Sequence, residues 1–118
     1  MKDDAIYIEH VLESIRRIEE GVAQGRDVFF ASHLLQDAVL RNLQTMAEST
    51  QRLSQAAKAA YPDVDWQGIS AFRNVLVHGY LGINLDRVWE IIHTNLPTLK
   101  TAVHDLARRR GLAVPGDE

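Results

Sequence analysis

The sequence predicts an all-α protein, an antiparallel bundle of four to five helices. Three observations carry that prediction. Apolar residues recur at steps of three and four along most of the chain, the period that lines one face of an α-helix. No stretch alternates apolar and polar in the manner of a strand. Tyr61-Pro62-Asp63 and Gly79 divide the periodic runs from one another.

The first helix is marked by Ile8, Val11, Leu12, Ile15, Ile18 and Val22, with Glu9, Glu13, Arg16, Arg17, Glu19 and Glu20 on the other side. Gly21 and Gly25 weaken the pattern, and Asp27 is placed to cap the next helix. A second run through Val28, Ala31, Leu35, Ala38, Val39, Leu43, Met46, Leu53 and Ala57 predicts one long helix reaching Ala60, rich in good helix formers. A short turn pairs these two helices antiparallel.

Tyr61 ends the second helix, because the residue before a proline is pushed out of helical geometry. A loop then runs to Gly68, with Trp66 packed down as an anchor. Ile69, Phe72 and Leu76 mark the buried stripe of a short third helix, which Gly79 is placed to end in the left-handed conformation. Gly82 loosens the next turn and Asn84 caps a fourth helix. Along it step Leu85, Val88, Trp89, Ile92, Leu96, Leu99, Val103 and Leu106. Pro97 either kinks this run or opens a new helix capped by Asn95. Gly111 and Pro115 close the ordered part, with a polar tail from about residue 112.

Residues 1–118 read as a single domain, long enough for one core without disulfide or metal staples. The absence of cysteine removes disulfide frameworks, thiolate zinc sites and a cysteine nucleophile together. The start, Met1-Lys2-Asp3-Asp4, lacks the basic and apolar segments of a secretory signal, and no apolar run approaches a bilayer's thickness. A cytoplasmic protein without membrane contact is the expectation. His10, His33, His93 and His104 have no partners at metal-ligand spacing. No glycine-rich phosphate loop succeeds a strand. Neither a metal nor another cofactor is expected. A net charge of −3 confines any nucleic-acid contact to a small site. Arg108-Arg109-Arg110, the one dense basic run, suits a helix C-terminus.

The chemistry concentrates in Arg73-Asn74-Val75-Leu76-Val77-His78-Gly79-Tyr80. Arginine clamps phosphate and keeps its charge, and histidine exchanges protons near neutral pH. Asn74 and His78 share one helical face, but Arg73 and His78 stand about 140° apart. Three routes bring them to one phosphate: the last turn unwinds near Gly79, the arginine stem wraps around, or a two-fold dimer adds a second motif. In the plainer reading, His78 caps a helix end, Arg73 makes a surface ion pair, and Tyr80 is an interfacial packing residue. Asp37, Arg41 and Glu48 fall on one side of the second helix, where they support the catalytic groups, line a dimer seam, or form a solvated charge network.

The layout around this motif resembles the HepT-like branch of the HEPN superfamily over roughly residues 5 to 105. Ala38-Val39-Leu40-Arg41-Asn42-Leu43 and Tyr61-Pro62-Asp63-Val64-Asp65-Trp66 precede it, and Leu85-Asp86-Arg87-Val88-Trp89-Glu90-Ile91 comes after it. The resemblance implies a homodimeric all-helical ribonuclease, the toxin of a type VII-like toxin–antitoxin pair encoded beside a minimal nucleotidyltransferase antitoxin of the MntA kind. It also implies two motifs facing each other across the dimer, cutting RNA without metal through Arg73, His78 and Asn74. Tyr80 then corresponds to the residue that the partner modifies with adenylate. The alternative is a non-catalytic helical module that binds the nucleotidyltransferase.

Overall fold

A computed structural model describes residues 4–79 and 82–114, with seven helices and no strand among them. The all-α prediction holds. Helix α1 (Asp4–Val22) turns its periodic stripe inward, burying Ile8, Val11, Ile15 and Ile18.

The long second run is three helices. α2 (Arg26–Ala31) and α3 (His33–Gln51) meet at Ser32, whose backbone is extended and whose hydroxyl accepts from the Leu35 N–H at 3.2 Å. α4 (Gln55–Ala59) begins after Ser54, whose hydroxyl accepts from the Ala57 N–H at 3.1 Å. Serine offers the backbone an alternative to the helical ladder. The apolar period passes straight across both serines, so periodicity merges what capping separates. Asp27 lies in the first turn of α2 instead of capping it; the cap position belongs to Gly25.

Helices α1 and α3 are antiparallel. Gly21 lies against Val39, the Ser14 and Thr45 hydroxyls are 3.2 Å apart, and Asp4 reaches Ser54. A β-carbon on Gly21 would stand 2.6 Å from Val39 Cγ2, so the absence of a side chain is what lets these helices approach.

α5 (Trp66–His78) starts three residues earlier than its apolar stripe suggests, because Asp65 caps it by accepting from the Gly68 N–H at 2.9 Å. Trp66 therefore sits on the helix, not in a loop, and its indole N–H donates to the carbonyls of Lys58 and Tyr61. α6 (Leu85–Thr94) is capped by Asn84 as predicted, with the Arg87 N–H at 3.2 Å. Pro97 lies in the first turn of a separate helix, α7 (Leu96–Arg109), and the Asn95 side chain makes no capping bond there.

Gly79 is not left-handed: its φ is −122°, and it closes α5 by donating its N–H to Val75 O at 2.8 Å. Gly111, at φ 71°, takes the left-handed conformation at a helix end instead. It ends α7 in a Schellman motif, with Leu112 N–H on Ala107 O and Gly111 N–H on Arg108 O. The chain stays packed beyond residue 112, since Val114 is buried.

At one end of the bundle, Asp4 gathers the Ser54 N–H (2.8 Å), the Ser54 hydroxyl (2.6 Å) and the Arg110 guanidinium (3.1 Å). The Tyr61 hydroxyl donates to Asp105 nearby, with Arg109 over its ring, so the α5 N-terminus belongs to this end. At the other end Arg26 pairs with Asp86, and Phe29 packs on Trp89. α5 therefore runs antiparallel to α3 and carries its C-terminus to the end where α2 and α6 meet.

Candidate functional site

The motif helix is held along one face and open along another. Leu76 is buried, and Ile69 and Phe72 pack partly against the core. Ala71, Asn74, Val75 and His78 recur at steps of three and four on the outer face, and all four are exposed. Val75 is 51% exposed, and Val77 on the same helix 37%.

Arg73 turns to the α3 side. Its Nε and Nη2 each stand 3.2 Å from the same oxygen of Glu48, Oε2. Its Nη1 donates to Asn74 Oδ1 at 3.2 Å. The pair is half-buried, with side chains 30% and 35% exposed. Gln44, one turn before Glu48 on α3, donates its amide to the same Oε2 at 3.3 Å. Sequence reasoning missed Gln44. Its spacing of four from Glu48 was a signal, but nothing in the sequence says which α3 residue faces Arg73.

His78 stands exposed in the last turn of α5, where a helix favours cations. The helix stays regular through His78, so unwinding does not bring it to Arg73. Arg73 instead spends its stem reaching Glu48. Within one copy the structure joins Arg73, Asn74 and Glu48 and leaves His78 on another side. Asp37 and Arg41 lie three and two turns further back on α3, both exposed. Tyr80 lies outside the described residues.

The remaining candidates have structural explanations. His93 stacks on Trp89 with centroids 4.3 Å apart, and its Nδ1 is 2.8 Å from Trp89 O. His10 meets the Tyr7 ring edge-on. Arg109 pairs with Asp105 at 2.9 Å, and Arg110 with Asp4. Among the described residues no group of three His, Asp or Glu side chains gathers as a metal-binding cluster, and no helix is long and apolar enough to cross a membrane.

Beside the motif, α5 is separated from α6 and α7 by a cleft of about 590 Å³, which Ala71 and Val75 of the exposed stripe also line. Phe72 and Val75 form one wall, Val88 and Leu96 the other, and Leu43 and Met46 the floor. Sequence periodicity cannot reveal it, because these residues carry the ordinary stripe of a packed helix.

Comparison with known proteins points to one family. The chain is 35% identical over 103 residues to a protein of Methanocaldococcus jannaschii named "Gamma-glutamylcyclotransferase and putative RNase". That match covers 86% of this chain but 46% of the relative, so this chain spans about half that protein's length. It is 30% identical over 97 residues to a "Putative RNase" of the same organism, covering 81% of this chain and 80% of the relative. To the "Probable ribonuclease HepT" of Thermococcus cleftensis it is 29% identical over 98 residues, covering 80% and 86%. No solved structure matches the chain. The family model described as "Ribonuclease HepT-like" matches residues 11–106, from the second turn of α1 to the last turns of α7. The helices and the motif between them thus have a common frame: the chain belongs to the ribonuclease HepT-like family.

Proposed function

We propose that this chain is a metal-independent endoribonuclease, the toxin of a HEPN/MNT-type toxin–antitoxin pair, and that it acts as a two-fold dimer. One observation carries the reading beyond the family. The outer face of α5 presents Asn74 and His78 on the same exposed stripe as Ala71 and Val75. A stripe that mixes a proton-transfer group with bare aliphatic surface suits an isologous seam, where a second copy supplies what one copy separates.

The chemistry is set by the side chains. His78 takes the proton of a ribose 2′-hydroxyl, and O2′ attacks the adjacent phosphorus. The bond from phosphorus to O5′ breaks, leaving a 2′,3′-cyclic phosphate. The partner subunit's His78, as imidazolium, returns a proton to O5′. Arg73 and the Asn74 amide stabilise the charge that builds on the phosphoryl oxygens. Adenylylation of Tyr80 by a partner nucleotidyltransferase places a phosphate against this anion site and silences it.

The competing reading, a non-catalytic module that binds the nucleotidyltransferase, draws support from the net charge of −3 and from the pairing of Arg73 with Glu48. One experiment separates them. The chain, purified without its partner, is incubated with cellular RNA and a chelator, and the new ends are mapped. Cyclic phosphates and 5′-hydroxyls that vanish in His78→Ala support the enzyme. Intact RNA, or equal cutting by the variant, supports the module.

A further inference from the structure

We propose that Gln44 and Glu48 form a brace that sets the aim of Arg73 and, through it, the orientation of Asn74. The inference rests on the ribonuclease reading, since it gives Arg73 a phosphate to aim at.

Glu48 Oε2 is a point of convergence. It accepts from Gln44 Nε2 at 3.3 Å and from Arg73 Nε at 3.2 Å, and Arg73 Nη2 stands 3.2 Å away as an ion pair. The guanidinium has five N–H donors. Glu48 takes the Nε donor and Asn74 takes one on Nη1, which leaves donors on both terminal nitrogens. A pair of donors on the two terminal nitrogens is the fork that grips a phosphate bidentately. Engagement along the Nε edge turns that fork away from α3.

The effect extends to Asn74. With its Oδ1 accepting from Arg73, its amide nitrogen is left as a donor. Asn74 is exposed, so this nitrogen can serve a phosphate oxygen beside the arginine fork. The relay runs Gln44, Glu48, Arg73, Asn74. Its base is α3, the 19-residue helix that packs centrally against α1 and α5. Sites are held more closely by such rigid elements than by loops. Glu48 and Gln44 are positioning residues: they touch no substrate and act through Arg73.

The charge of Glu48 makes the test discriminating. Removing a carboxylate beside an anion site raises the local potential and favours RNA. If Glu48 belonged only to a solvated charge network, Glu48→Ala would keep or raise the cleavage rate. The brace predicts the opposite sign. Steady-state cleavage of a short RNA is compared for wild type, Glu48→Ala, Glu48→Gln, Gln44→Ala and Arg73→Lys. Arginine Nε–H signals are recorded in parallel by 1H–15N NMR, with that of Arg73 assigned by its loss in Arg73→Lys.

Glu48→Ala is expected to lower kcat by up to about 100-fold, the scale of a misplaced catalytic group, with KM unchanged or lower. Its Arg73 Nε–H signal shifts and exchanges faster with water. Glu48→Gln keeps an acceptor oxygen and loses less, and Gln44→Ala loses least. A kcat held in Glu48→Ala overturns the proposal, and so does an unmoved Nε–H signal. If Arg73→Lys cleaves as well as wild type, the ribonuclease reading fails at Arg73, while the NMR signal still decides whether the brace exists.

Discussion

Arg73 and His78 share helix α5 yet face apart. Arg73 lies 3.2 Å from Glu48 on the α3 side, and His78 stands exposed five residues on, about 140° around the helix. Arg73 is held by Glu48 and Asn74 while His78 faces solvent, and the proposed chemistry brings two such motifs to one cleft.

That arrangement makes assembly the first prediction. Light scattering at micromolar concentration should give twice the chain mass of 13.3 kDa. Val75→Glu places a charge on the exposed stripe, so it should split the dimer and abolish cleavage together while leaving helical content intact. A wild-type monomer, or a Val75→Glu monomer that cuts RNA normally, would rule out the composite site.

Catalysis divides between two side chains. His78→Ala removes the proton shuttle and Arg73→Ala the phosphate clamp. Each should lower kcat by about 100-fold or more. His78→Ala should melt like wild type because the side chain is exposed. Chelator should leave the wild-type rate unchanged; a rate lost on chelation and restored by a divalent ion would refute the metal-free mechanism.

Control is tested at Tyr80 by intact mass after co-expression with the neighbouring nucleotidyltransferase. Wild type should gain one or more adenylate units and lose activity. Tyr80→Phe should keep its mass and its cleavage. The same gain in the variant would place the modification on another residue.

Asp4 links stability to pH. Burial opposes its ionisation, but the Ser54 hydroxyl and N–H and the charge of Arg110 outweigh it and hold the carboxyl below its usual range. A depressed carboxyl contributes stability above its unfolded value of about 3.9 and loses it as pH falls through the folded value. Asp4→Asn should cost about 1–3 kcal/mol at pH 7. The gap to wild type should close as pH falls below about 4. Urea melts at several pH values measure this, and a gap that stays constant would refute the assignment.

Gly21 limits how closely α1 can meet α3. Gly21→Ala puts a methyl 2.6 Å from Val39 Cγ2 and should cost about 1–3 kcal/mol through overpacking. Combining it with Val39→Ala should recover part of the loss. Strictly additive costs in the double variant would show that the two residues do not compete for the space.

Local chemistry was legible wherever one helix decides it. The inward stripe of α1, the Asn84 cap and the short motif helix are all set by residues near one another in sequence. The breaks at Ser32 and Ser54 were hidden because the apolar period runs through them, and only the extended backbone at each serine shows the helix stopping. Gly79 and Gly111 are alike as letters after a helical run. Only Gly111 takes the left-handed turn that seats Leu112 on Ala107.

The sequence by itself determined that the chain is a helical bundle with arginine, asparagine and histidine on one short helix, because period and spacing are properties of a single run of residues. Tertiary structure decided that Glu48 rather than Asp37 or Arg41 meets Arg73, that Gln44 joins them, and that Val75 stays exposed beside a cleft. Those outcomes depend on the register between helices distant in sequence. The register is set by contacts such as Gly21 on Val39 and Tyr61 on Asp105, which no local pattern encodes.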